Sequence, residues 1–138
     1  MSDAQNTTPL SPPLRVLIVD DQLDMLTTLG ILLRSEGMLV QLGQKGAEVG
    51  AAVEAFRPDV VMLDIEMPDR SGLQVAMELI QRYGEGCPVL VAVTGHKTDA
   101  ARRLIEKAGF RHYVAKPYDF DAVISLVSSM KRRSDARR

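Results

Sequence analysis

Cysteine is almost missing from this chain: Cys87 is the only one among 138 residues. That excludes an internal disulfide, and with no Cys or His companion at ligand spacing it excludes a thiolate metal site. Cys87 reads instead as a buried strand residue. Histidine is scarce as well, and His96 and His112 are too few and too badly spaced to form a metal centre. No apolar run approaches the ~20 residues of a membrane span. The opening MSDAQNTTPLSPP has neither a basic nor an apolar segment, so it does not read as a secretory signal. Its Ser, Thr, Pro and Asn content predicts a flexible leader over residues 1–13, and the protein is expected in the cytoplasm. Nucleotide-binding glycine loops are missing too: GQKGAEVG places Gly43, Gly46 and Gly50 in neither a GxGxxG nor a Walker A pattern.

What remains is the composition of an ordinary globular domain, 46% apolar and 25% charged, of a length that suits a single core over residues 14–130. The net charge of −1 is unevenly spread. The tail 131–138, KRRSDARR, carries five positive charges and one negative, which leaves −5 on residues 1–130. A basic tail is compatible with an acidic partner or nucleic acid, but no aromatic residue interleaves the cations as single-strand binding prefers. The reading is a frayed helix end whose charges suit the helix dipole, with no nucleic-acid partner.

Apolar stretches without alternation recur at LRVLIV (14–19), DVVML (59–63) and PVLVAV (88–93), as strands covered on both faces require. Weaker strands are expected at Met38–Leu42 and Arg111–Ala115. Five segments between and after them carry apolar residues at helical spacing, for example Leu26, Leu29 and Leu33, or Val123 and Val127. Gly37, Pro58, Gly84 with Gly86, and Gly109 mark the ends of the first four helices. This predicts a (βα)5 three-layer α/β sandwich with a parallel sheet and right-handed crossovers. Such a chain is compatible with the flavodoxin-like strand order 2-1-3-4-5.

Parallel α/β sheets hold ligands beyond the carboxyl ends of their strands. There the sequence sets Asp20 and Asp21 after strand 1, Asp64 after strand 3, Thr94 after strand 4 and Lys116-Pro117 after strand 5. Three acids gathered in one place repel each other unless a cation shares the site. Mg²⁺, which prefers hard oxygen ligands on an open rim, resolves this. Lys116 adds an ammonium suited to a phosphoryl oxygen, and Thr94 a hydroxyl donor. A carboxylate nucleophile, a metal, an ammonium and a hydroxyl together suit phosphoryl transfer onto aspartate. Alternatives stay open at single residues: Asp21 suits a cap of the first helix, Thr94 a turn, and Ser71 a cap of the third helix. Around the loop that follows Asp64, Pro68 restricts the path and Gly72 permits a positive φ.

With IVDDQ, VVMLDIEMPDRSG, VAVTGH and YVAKPYD at successive strand ends, the sequence resembles the CheY-like receiver domains of two-component response regulators over residues 14 to about 130. The resemblance implies that Asp64 is the phosphoryl acceptor. It implies that Asp20, Asp21 and Asp64 hold Mg²⁺ with the backbone carbonyl of Glu66, and that Lys116 pairs with the acyl phosphate. Thr94 and Tyr113 would form a paired switch, and a cis peptide would precede Pro117. Glu66 and His96 would flank the acyl phosphate and influence attack by water. The implied output surface is the fourth helix, fifth strand and fifth helix.

The expected function is therefore a phosphorylation-controlled switch, not a turnover enzyme. Its phosphoryl group would come from a histidine kinase or histidine phosphotransfer protein. Its output would pass through an unidentified protein target, from a monomer or a phosphorylation-dependent dimer. The short tail after the fifth helix leaves two settings, a free-standing protein and a receiver excised from a hybrid kinase; the initial Met favours the first. Two rivals stand beside this reading. An aspartate-nucleophile phosphatase of the haloacid-dehalogenase type carries DxDxT after its first strand, where this chain reads DDQLD. A binding scaffold without phosphorylation commonly lacks one of the acids or the lysine, and none is missing here.

Overall fold

A computed structural model describes residues 12–130. Five strands, β1 (Arg15–Val19), β2 (Leu39–Gly43), β3 (Val60–Asp64), β4 (Val89–Thr94) and β5 (His112–Ala115), alternate with five helices. The helices are α1 (Leu23–Ser35), α2 (Val49–Phe56), α3 (Gly72–Tyr83), α4 (Asp99–Lys107) and α5 (Phe120–Ser128). All strand pairs are parallel, in the order β2-β1-β3-β4-β5. The fold is the (βα)5 sandwich that the apolar stretches predict, in the flavodoxin-like order with which they are compatible. Strand bounds fall within one residue of expectation at each end. Residues 1–11 of the leader predicted over 1–13, and the predicted tail, 131–138, lie outside the described residues.

The strands are apolar on both faces because both faces are covered. Val16, Ile18, Val60, Met62, Val91 and Val93 point to one layer, where Leu26, Leu29 and Leu33 of α1 meet Val123 and Val127 of α5. Leu17, Val19, Val61, Leu63, Leu90 and Ala92 point to the other, against α2, α3 and α4. The alternation of side chains along each strand divides these two cores.

Helix ends depart from the glycine and proline reading in two places. Before Pro58, it is Arg57 that turns left-handed, with φ 53°, and closes α2 through a backbone bond to Val53. Gly84, with φ 55°, ends α3, whereas Gly86 belongs to a following 3-10 turn. Cys87 is buried as expected but lies just after that turn, outside β4. Ser71 does cap α3, accepting a bond from the Leu73 amide at 3.2 Å.

Candidate phosphoryl-transfer site

The carboxyl ends of β1, β3, β4 and β5 converge on one acidic corner. Parallel pairing carries each strand to the same edge: Asp64 is level with Val93, and Thr94 with Ala115. The ladder continues for one step, as Ile65 donates to Val93 and Lys116 to Thr94, both at 2.9 Å. Oxygens of Asp20, Asp21 and Asp64 all lie within 4.8 Å of one another. Asp20 and Asp64 are fully buried, and Asp21 is exposed.

Each acid is held differently. Asp64 accepts the Glu66 amide on Oδ1 at 3.0 Å and the Lys116 ammonium on Oδ2 at 2.8 Å. Burial raises the Asp64 pKa to about 6; the bonds from Lys116 and Glu66 pull it back, and the charge of Asp20 adds to the rise. For Lys116, burial pulls the pKa down, but the bond to Asp64 and the charges of Asp20, Asp64 and Asp21 outweigh it and hold the ammonium above its ordinary range. Lys116 stands farther from Asp20, at 3.9 Å, and the Lys116–Pro117 peptide is cis, as the resemblance implies.

Asp20, rather than Asp21, shapes the entry to α1, because its Oδ1 accepts the Gln22 amide at 2.9 Å. Gln22 precedes the helix without a side-chain capping bond, so the cap reading of Asp21 is not met. Gly72 also owes its place to something other than a positive φ, which it lacks. A Cβ there would stand 2.6 Å from the Asp64 carbonyl oxygen and 2.8 Å from the Ile65 Cα, so the start of α3 packs directly on the backbone of the acid.

Thr94 and Glu66 meet in a contact that the sequence did not reveal. The buried Thr94 hydroxyl donates to Glu66 Oε2 at 2.5 Å and accepts the His96 amide at 3.0 Å, so the turn reading of Thr94 is also met. The Glu66 side chain thus faces Thr94 and the Gly95 amide and is not one of the three clustered acids. Tyr113 is half-buried, with its hydroxyl bonded to the His96 carbonyl and Arg102 5.1 Å from its ring centre. A further residue escaped the sequence reading: the Tyr118 hydroxyl donates to Asp20 Oδ2 at 2.7 Å. Its position two residues after Lys116 was the available signal.

Three clustered carboxylates, a neighbouring ammonium and a hydroxyl stand together at the carboxyl edge of a doubly wound parallel sheet, where such folds hold their ligands. Residues 16–128 match the response regulator receiver domain, and the chain belongs to that family, the receivers of two-component signalling. It is similar to the "Probable transcriptional regulatory protein TcrX" of Mycobacterium tuberculosis, with 35% identity over 124 residues, 88% of this chain and 51% of TcrX. The chain thus spans about half the length of this relative. A receiver domain from Bermanella marisrubri has a TM-score of 0.73 at 28% identity, covering 83% of this chain and 94% of that one. The receiver of yeast Ssk1, solved with the histidine phosphotransfer protein Ypd1, has a similar fold: TM-score 0.79 at 21% identity, with 85% and 88% covered. Among the described residues no helix is long and apolar enough to cross a membrane.

Proposed function

We propose that this receiver is switched by phosphorylation of Asp64, with Mg²⁺ held by Asp20, Asp21, Asp64 and the Glu66 carbonyl. The observation that carries this reading is the Lys116 ammonium 2.8 Å from Asp64, which shares a 4.8 Å cluster of oxygens with two more acids. Three carboxylates against one ammonium leave an excess of negative charge on hard oxygens, which fits a small divalent cation. When bound, Mg²⁺ offsets negative charge on the acids and on the transferring group.

An Asp64 oxygen attacks phosphorus as the phosphorus–nitrogen bond of a phosphohistidine breaks, and the imidazole leaves with its bonding electrons, to be protonated by solvent. Lys116 holds the carboxylate in position before transfer and balances charge after it. Thr94 must release Glu66 to donate to a phosphoryl oxygen, so the new group favours one of two arrangements of this hydroxyl, and Tyr113 moves with it. The donor is a histidine kinase or a histidine phosphotransfer protein, a reading supported by the complex of the Ssk1 receiver with Ypd1. The output passes to a protein target through α4, β5 and α5.

The test is incubation with acetyl phosphate or a cognate phosphohistidine donor plus Mg²⁺, followed by intact-mass measurement. A phosphoryl increment in the native protein, lost in Asp64→Asn, is expected. An increment that survives Asp64→Asn, or none from a cognate donor, would overturn the assignment.

A further inference from the structure

Lys116 serves the two buried acids unequally, standing 2.8 Å from Asp64 but 3.9 Å from Asp20. The donor that Asp20 Oδ2 receives is instead the Tyr118 hydroxyl, at 2.7 Å. Tyr118 lies on the turn between β5 and α5. Its ring stacks on Phe120 with centres 6.0 Å apart and packs against the core between α1 and α5. The phenol is therefore fixed by its own packing.

From this geometry we propose that Tyr118 is a positioning residue of the metal site, acting through Asp20. The proposal rests on the Mg²⁺ reading above. With Oδ1 held by the Gln22 amide and Oδ2 by the phenol, the fully buried carboxylate is fixed at both oxygens. Each oxygen keeps a second lone pair free for a cation or its bound water. The chemistry of the donor matters as much as its position. A second ammonium would neutralise Asp20 and compete with the cation, whereas a neutral hydroxyl orients the carboxylate and leaves its charge intact. A phenol carries its proton at neutral pH, so the hydroxyl is the donor in this bond. Outer donors of this kind fix ligand orientation, and their loss typically weakens metal binding about 10–100-fold.

Tyr118→Phe deletes only the hydroxyl and keeps the ring on Phe120. Titration with MgCl2 by calorimetry at neutral pH is expected to give a dissociation constant about tenfold or more weaker than in the native protein. Tyr83→Phe serves as the control. It removes a phenol–carboxylate bond of similar length, 2.8 Å to Glu54, outside the acidic corner, and should leave Mg²⁺ affinity unchanged. Thermal unfolding of the metal-free variants separates loss of positioning from loss of fold. An affinity in Tyr118→Phe within about twofold of the native value, or a tighter one, would overturn the proposal. If the native protein itself takes up no Mg²⁺, the metal reading falls, and the role of Tyr118 falls with it. Native binding with an unaltered Tyr118→Phe removes only the role of Tyr118.

Discussion

At the end of β4 the Thr94 hydroxyl already has a partner, and that partner is an anion. In the proposed switch this bond to Glu66 must break before the hydroxyl can turn to a phosphoryl oxygen, and a Glu66 carboxylate beside Thr94 would repel an incoming anionic group. A hydrogen bond to a charged group contributes about 1.5–3 kcal/mol. Glu66→Ala should therefore speed phosphorylation by acetyl phosphate roughly tenfold, equivalent to about 1.4 kcal/mol of barrier. The initial rate of the mass increment at saturating Mg²⁺ measures it; an unchanged or slower rate counts against Glu66 as a brake. Gly72 invites a stability test at the same scale. Its absent Cβ would fall 2.6 Å from the Asp64 carbonyl oxygen, and backbone cannot yield as a flexible side chain does. Gly72→Ala should cost about 1–3 kcal/mol in urea unfolding. By contrast, a Cβ at Gly50, within α2, meets nothing within 4 Å. Gly50→Ala should therefore stabilise by about 0.5–1 kcal/mol. Equal effects at the two glycines would refute the steric account of Gly72.

Between elements, the loop after β3 is tied to the 3-10 turn Gly46–Glu48, which leads into α2, by Asp69, whose two oxygens accept the Gly46 and Ala47 amides at 3.0 and 2.9 Å. These bonds, Ala47 first and Gly46 next, hold the Asp69 carboxyl below its ordinary range. A carboxylate with a depressed folded-state pKa contributes stability that is present above its unfolded value, about 3.9, and lost as pH falls through that value and below. Asp69→Asn should thus lower the unfolding midpoint at pH 7, with the gap to the native protein closing as the pH falls below about 4. A gap that stays constant over that range would remove Asp69 from the acid response. No sequence pattern marks this tie, because residues 46 and 69 become neighbours only once β2 and β3 are both paired with β1. Local signals gave the strands and the apolar helix faces, since these depend on nearest neighbours along the chain. Arg57, ending α2 in a left-handed conformation that glycine usually fills, was legible only as the residue before Pro58.

Across the whole molecule, the two cores and the chemistry occupy different parts of the same sheet. The apolar strand interiors hold the layers together, while the carboxyl edge gathers three acids, two of which, Asp20 and Asp64, pair with Lys116. The sequence disclosed this edge because Asp20, Asp21, Asp64, Thr94 and Lys116 each follow an apolar stretch, so finding the strands finds the site. The contacts made by Tyr118 and Glu66 were not legible, since each depends on side-chain direction across separate loops. The charge excess carries a stability consequence. Burial and the neighbouring Asp20 charge disfavour ionised Asp64, and the single bond from Lys116 does not fully compensate. Asp64→Asn keeps the shape and removes that charge, so without Mg²⁺ at pH 7 it should unfold about 1 kcal/mol later than the native chain. Saturating Mg²⁺ should reverse the order. A cation bound only by the folded native protein adds about 2.7 kcal/mol at a hundred times its dissociation constant, and the variant, having lost a ligand, should gain much less. Urea unfolding of both proteins with and without Mg²⁺ measures this crossing. Curves that keep the same order and spacing in both conditions would show that the acidic corner neither strains the free protein nor holds the ion.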